Sequence, residues 1–147
     1  IGGNLVRWYG GFNSLMVANE SNEKIYAPQM GRMEKSELNM EDIEHLPYME
    51  WDEWIIRLSK FRYAVHMNPN TIGGTFHLNC AYLGIPCIGN IHTNTQRLCF
   101  PDLSVEPNDI KTATFLGSNR VYQIVIKQKN NTLNIFMNRY IKIHGMI

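Results

Sequence analysis

Short apolar runs alternate along this chain with segments whose apolar positions recur every three or four residues, as expected of strands connected by amphipathic helices. Asn4 to Trp8 is a brief apolar run ending in Tyr9-Gly10-Gly11, and reads as a first strand and its loop. Phe12 to Ala18, with Phe12, Leu15 and Met16 at helical spacing, suits a first crossover helix, with a strand nearly as compatible. Lys24 to Pro28 predicts a strand, followed by a polar connection over Gly31 to Lys35. Ile43 to Met49 predicts another strand, weakened by Pro47, which cannot donate to a ladder. Trp51, Trp54, Ile55, Leu58 and Phe61 then share one helix face. That aromatic stripe reads as core packing rather than a cofactor box.

The stretch from Tyr63 to Asn90 organises the rest. An apolar run, Tyr63 to Met67, ends at Asn68-Pro69-Asn70, and Gly73-Gly74 precedes a helix carrying Phe76, Asn79, Cys80 and Leu83. Gly84 stands where a helix C-terminal cap belongs, and Pro86-Cys87-Ile88 begins the next strand. Such a unit presents the backbone N–H groups of Gly73, Gly74 and Thr75 at a helix N-terminus, a favourable place for an anion such as a diphosphate. Two glycines before a helix also make an ordinary tight turn, and spacing alone leaves both readings open.

Beyond Asn90 the chain reads as a loop, then a short run at Leu103-Ser104-Val105. Pro107 suits the first turn of a helix whose stripe, Ile110, Ala113 and Leu116, stops at Gly117. Residues 118–147 form a C-terminal helical segment in this reading. Ser118 would cap a helix through Val121, Ile124 and Val125, and Leu133, Phe136, Met137, Tyr140 and Ile141 would line another. Arg139, Lys142 and His144 give that last helix a basic face, read as solvated, with peripheral membrane contact as the alternative. The order of elements is that of an α/β domain with an open, mostly parallel sheet and helices on both faces, in which Ala64 to Met67 is a central strand.

Composition narrows the function classes. The 147 residues suit one domain, 44% hydrophobic and 18% charged, which is globular rather than disordered. A net charge of +1 argues against nucleic acid as the main partner. Cys80, Cys87 and Cys99 form no close metal-binding pair and fit a reducing, cytoplasmic compartment. No run is long enough to span a bilayer. His45, His66, His77, His92 and His144 lack zinc-binding spacing, and no nucleophile elbow of the G-x-S-x-G kind is present. The chain starts at Ile1 without methionine, and is expected to be a fragment of a longer protein.

Pro69, Gly73-Gly74, Cys80-Ala81 and Gly84-Ile85-Pro86 resemble the donor-binding motif of nucleotide-sugar glycosyltransferases of the GT-B fold, of the group 1 or family 4 kind. Phe100-Pro101-Asp102-Leu103 with Glu106-Pro107-Asn108-Asp109 resembles the place where that family has its last strand, a P-x-D turn and a helix. The resemblance runs from about Leu5 to Leu116. It implies a Rossmann-like C-terminal, donor-binding domain over 1–147, with an N-terminal acceptor-binding domain elsewhere. It also implies that Arg7 contacts the donor phosphates, although the family's lysine a few positions later is absent, and a surface arginine is an equal reading. The resemblance also sets Tyr48 and Met49 against the nucleobase, whereas read singly each suits capping the core better. Gly73, Gly74 and Thr75 would hold the diphosphate. Many retaining members carry two glutamates at the positions of Thr71 and Asn79, and neither residue here is a carboxylate.

The expected function is therefore binding of a nucleotide diphosphate-sugar for glycosyl transfer, by an electrostatic mechanism that stabilises the departing diphosphate. No metal or other cofactor is expected, and any general acid or base would come from the other domain, as would the acceptor, whether glycan, lipid or protein. The alternative is a non-catalytic binding or scaffold module, which Thr71 and Asn79 favour. A nucleotide-sugar epimerase shares the architecture, but would want acidic and histidine groups that the sequence does not place.

Overall fold

Strands and helices alternate as the apolar pattern requires in a computed structural model of the chain, which describes residues 1–2, 10–28, 42–71 and 74–117. Helix α1 (Gly11–Asn19) leads to β1 (Ile25–Pro28), and β2 (Ile43–Leu46) to α2 (Trp51–Leu58). Then β3 (Ala64–His66), α3 (Phe76–Leu83) and β4 (Cys87–Asn90) form the central unit. Helix α4 (Asn94–Cys99), a 3-10 turn (Pro101–Leu103), β5 (Ser104–Val105) and α5 (Ile110–Gly117) complete the order. The strand expected over Asn4–Trp8, the connection at Gly31–Lys35 and the helices expected after Gly117 lie outside the described residues.

The ends of these elements follow local chemistry. β2 stops at Leu46, immediately before Pro47. Gly84 closes α3 in the left-handed conformation (φ 67°), with its own N–H donating to the Ala81 carbonyl and the Ile85 N–H to that of Cys80. Helix α1 settles the ambiguity at Phe12 to Ala18, but not with the expected face inward: Ser14, Leu15, Val17 and Ala18 are buried, while Phe12 and Met16 are exposed. Small residues allow α1 to lie close on β3. Trp51, expected in the core, is 64% exposed because the first turn of α2 starts beyond the apolar contacts that hold Trp54 and Leu58. The run expected to be a loop after Asn90 contains α4, whose buried positions are Gln96 and Cys99.

All strand pairs among the described residues are parallel. β1 pairs with β2, Ile25 opposite Ile43 and Pro28 opposite Leu46. β4 lies between β3 and β5, with Ala64 opposite Cys87 and Gly89 opposite Ser104. Among the described strands, then, β4 is the one with a strand on each side, rather than Ala64 to Met67. The far edge of β3 is nevertheless occupied, since the Gly2 N–H donates to the Val65 carbonyl at 2.8 Å. The preceding nitrogen, that of Ile1, donates the other way, to the Tyr26 carbonyl of β1 at 2.8 Å.

Both faces of the three-stranded sheet are covered. A side chain at Gly117 in α5 would stand 3.5 Å from Ile88 Cδ1, whereas one at Gly89 would press within 2.6 Å of Gln96 Oε1 in α4. Adjacent strand residues point to opposite faces, so α5 and α4 cover opposite sides of β4. The main core gathers Leu58, Val65, Met67, Cys80, Ile88, Leu103 and Ala113, and a smaller one joins Leu15, Ala18, Ile25, Ala27 and Ile43. All three cysteines are buried and none is in a disulfide, and burial pushes the thiols of Cys87 and Cys99 up. Among the described residues no helix is long and apolar enough to cross a membrane.

Candidate functional site

The carboxyl end of β3 is fixed from three sides. The Met67 N–H donates to Ser14 Oγ at 2.9 Å, and that hydroxyl donates to the Gly10 carbonyl at 2.8 Å, which ties the first turn of α1 to the end of the strand. Gly10 itself has φ 69°, and a side chain there would meet the Met67 carbonyl oxygen at 2.0 Å. Only glycine serves both demands, so the loop entering α1 touches the backbone leaving β3.

The loop after β3 is held by short polar side chains. Asn68 Oδ1 accepts from the Asn70 N–H at 2.9 Å, an Asx turn. The Asn68 carbonyl accepts from Asn90 Nδ2 at 2.8 Å, and the Asn70 carbonyl from Thr93 Oγ1 at 3.2 Å. Asn90 and Thr93 are buried at the end of β4, so the two strand ends are clamped together.

Thr71, Gly74, Thr75 and Asn79 follow on this edge. Thr71, Gly74 and Thr75 are exposed, and Asn79 is half-buried in α3. Thr75 is the N-cap residue of α3, but no side chain caps the helix, and its first turn holds no acidic residue. The Asn79 N–H donates to the Thr75 carbonyl at 2.9 Å, and the N–H groups ahead of it are those that a helix start leaves without intrahelical partners. A side chain at Gly74 would meet nothing within 4 Å, so this position is open to an approaching ligand.

The structure brings together Thr71, Gly74, Thr75 and Asn79. Tyr48, 64% exposed, and the half-buried Met49 stand just past the carboxyl end of β2. β2 pairs with β1, in a ladder separate from that of β3 and β4 among the described strands. Arg7 and Gly73 lie outside the described residues.

Spacing along the chain assigns the histidines no role, yet two of them meet beside this site. His66 Nδ1 and His77 Nε2 are 3.1 Å apart, and His77 Nδ1 is 3.1 Å from Thr95 Oγ1. Phe76 packs edge-on against His66 with ring centres 5.3 Å apart. Burial, reinforced by His77, lowers the pKa of His66 to about 3, and burial lowers that of His77 to about 4. Both rings are therefore neutral at ordinary pH, and a single proton occupies the contact between them. The chain of three side chains joins β3, α3 and α4. No sequence spacing announces it, because His66 ends a strand and His77 lies in the first turn of the next helix. Among the described residues no group of three or more histidine, cysteine or acidic side chains is placed to hold a metal ion.

No protein-family model, curated protein or solved structure matches the chain.

Proposed function

We propose that this chain is the donor-binding half of a glycosyltransferase, holding a nucleotide diphosphate-sugar at the N-terminus of α3. The observation that carries the reading is the uncapped start of α3 beside the fixed carboxyl ends of β3 and β4. Unpartnered N–H groups and the positive end of the helix dipole favour a diphosphate there, and a leaving diphosphate gains most from donors already in place.

Topology supports the same place. The hydrogen bonds of Ile1 and Gly2 put the start of the chain between β1 and β3. Parallel sheets with helices on both faces bind ligands at the carboxyl ends of their strands. Gly10 meets the backbone leaving β3 at that end.

Thr71 and Asn79 favour a second reading, a binding or scaffold module that has the fold without transfer chemistry. Asn79 can hydrogen-bond a sugar or ribose hydroxyl, but more weakly than a carboxylate would. Calorimetric titration of the whole chain with uridine and guanosine diphosphate-sugars tests both. Binding is expected in the wild type and is lost in Gly74→Asp, whose carboxylate repels the diphosphate. The open space around Gly74 means that the loss reports on charge rather than misfolding. No heat at millimolar nucleotide favours the scaffold, and equal binding by both proteins moves the phosphates elsewhere.

A further inference from the structure

The amino edge of the strands, opposite the site above, contains a cavity of about 250 Å³ between the turns that follow α1 and α2. Tyr26 and Phe61 line it with their rings packed 4.9 Å apart. Tyr63 lines it too, with its hydroxyl buried.

The charges around this wall do not cancel. Lys24 and Arg57 stand 5.5 and 5.6 Å from the centre of the Tyr26 ring, and Lys24, Lys60 and Arg62 line the cavity itself. Against these four cations stand Glu44, paired with Lys24 and Arg57, and Glu23, paired with Arg62. The C-termini of α1 and α2 also end here and add about half a negative charge each. Close to one positive charge is left over. Lys60 is the cation with no carboxylate partner among the described residues.

Size selects the ligand further. A dry cavity of about 150 Å³ accommodates benzene, so this one has room for a single ring with a substituent, but not for a nucleotide diphosphate-sugar. We infer that the amino-edge cavity binds a small monoanionic aromatic acid, its ring against Tyr26 and Phe61 and its carboxylate on Lys60. This site is separate from the α3 N-terminus, and its occupancy does not depend on the donor-binding reading.

Benzoate and its neutral counterpart benzamide, titrated into the whole chain and followed by the amide NMR signals of residues 24–26 and 60–63, test the inference. Benzoate is expected to give saturable shifts and to bind at least five-fold more tightly than benzamide. Lys60→Gln, at an exposed position that leaves folding intact, should weaken benzoate about five-fold and leave benzamide unchanged. Shifts that never saturate, equal binding of the two probes, or benzoate affinity unaffected by Lys60→Gln would each overturn it.

Discussion

His66 and His77 tie the stability of this protein to pH through one short contact. Folding lowers their pKa values from 6.5 to about 3 and about 4, chiefly by burial. The folded state thus refuses protons that the unfolded chain accepts once the pH falls below about 6.5. Stability is fully present above that value and declines as the pH drops towards the two folded values. With two protons involved, the steepest decline is about 2.7 kcal/mol per pH unit. Urea denaturation of the wild type and His77→Gln at pH 7, 6, 5 and 4 measures this: the variant should lose about half the slope. An identical slope in both proteins would place the acid sensitivity elsewhere. Gly10 shows the complementary case, a residue whose role was half visible. Its sequence marks a turn, but the need for glycine arises from the Met67 carbonyl 2.0 Å from where a side chain would begin, 57 positions along the chain.

Elements with a clear apolar period were legible, and those with a polar inward face were not. The segments at Ile25, Ile43, Ala64, Phe76 and Ile110 all form the element types that their patterns predict. Helix α4 was hidden because its buried contact is Gln96, a residue that reads as surface. Gln96 Nε2 donates to the Cys87 carbonyl at 2.9 Å and to the Leu103 carbonyl at 3.2 Å, so one amide holds α4, β4 and the turn before β5 together. Gln96→Leu keeps the volume but leaves two buried carbonyls short of a donor. The expected cost is about 1–3 kcal/mol, read as a lower urea midpoint at unchanged slope. A variant as stable as wild type would mean that those carbonyls find other donors. The residues proposed to hold a donor divide in the same way: Thr71, Gly74, Thr75 and Asn79 lie together because they are neighbours in sequence. Tyr48 and Met49 depend on sheet order, which no local pattern encodes.

At the scale of the whole molecule, the question is whether the ladder β1–β2 and the ladder β3–β4–β5 behave as one sheet. Hydrogen bonds from two consecutive nitrogens, Ile1 to Tyr26 and Gly2 to Val65, bridge them. The two apolar clusters meet the same bridge, since Ile1 packs on the smaller one while β3 belongs to the larger. A cooperative unit opens as a whole, so its innermost amides exchange at one common free energy. Native-state hydrogen exchange should therefore show the slowest amides of β1 and β2 protected to within about 1 kcal/mol of those of β3 and β4, and converging with them as urea is added. Two separate plateaus would mean that the ladders unfold independently. In that case the bridge at Ile1 and Gly2 would not hold the two ladders as one unit, and the donor-binding proposal would rest on the start of α3 alone.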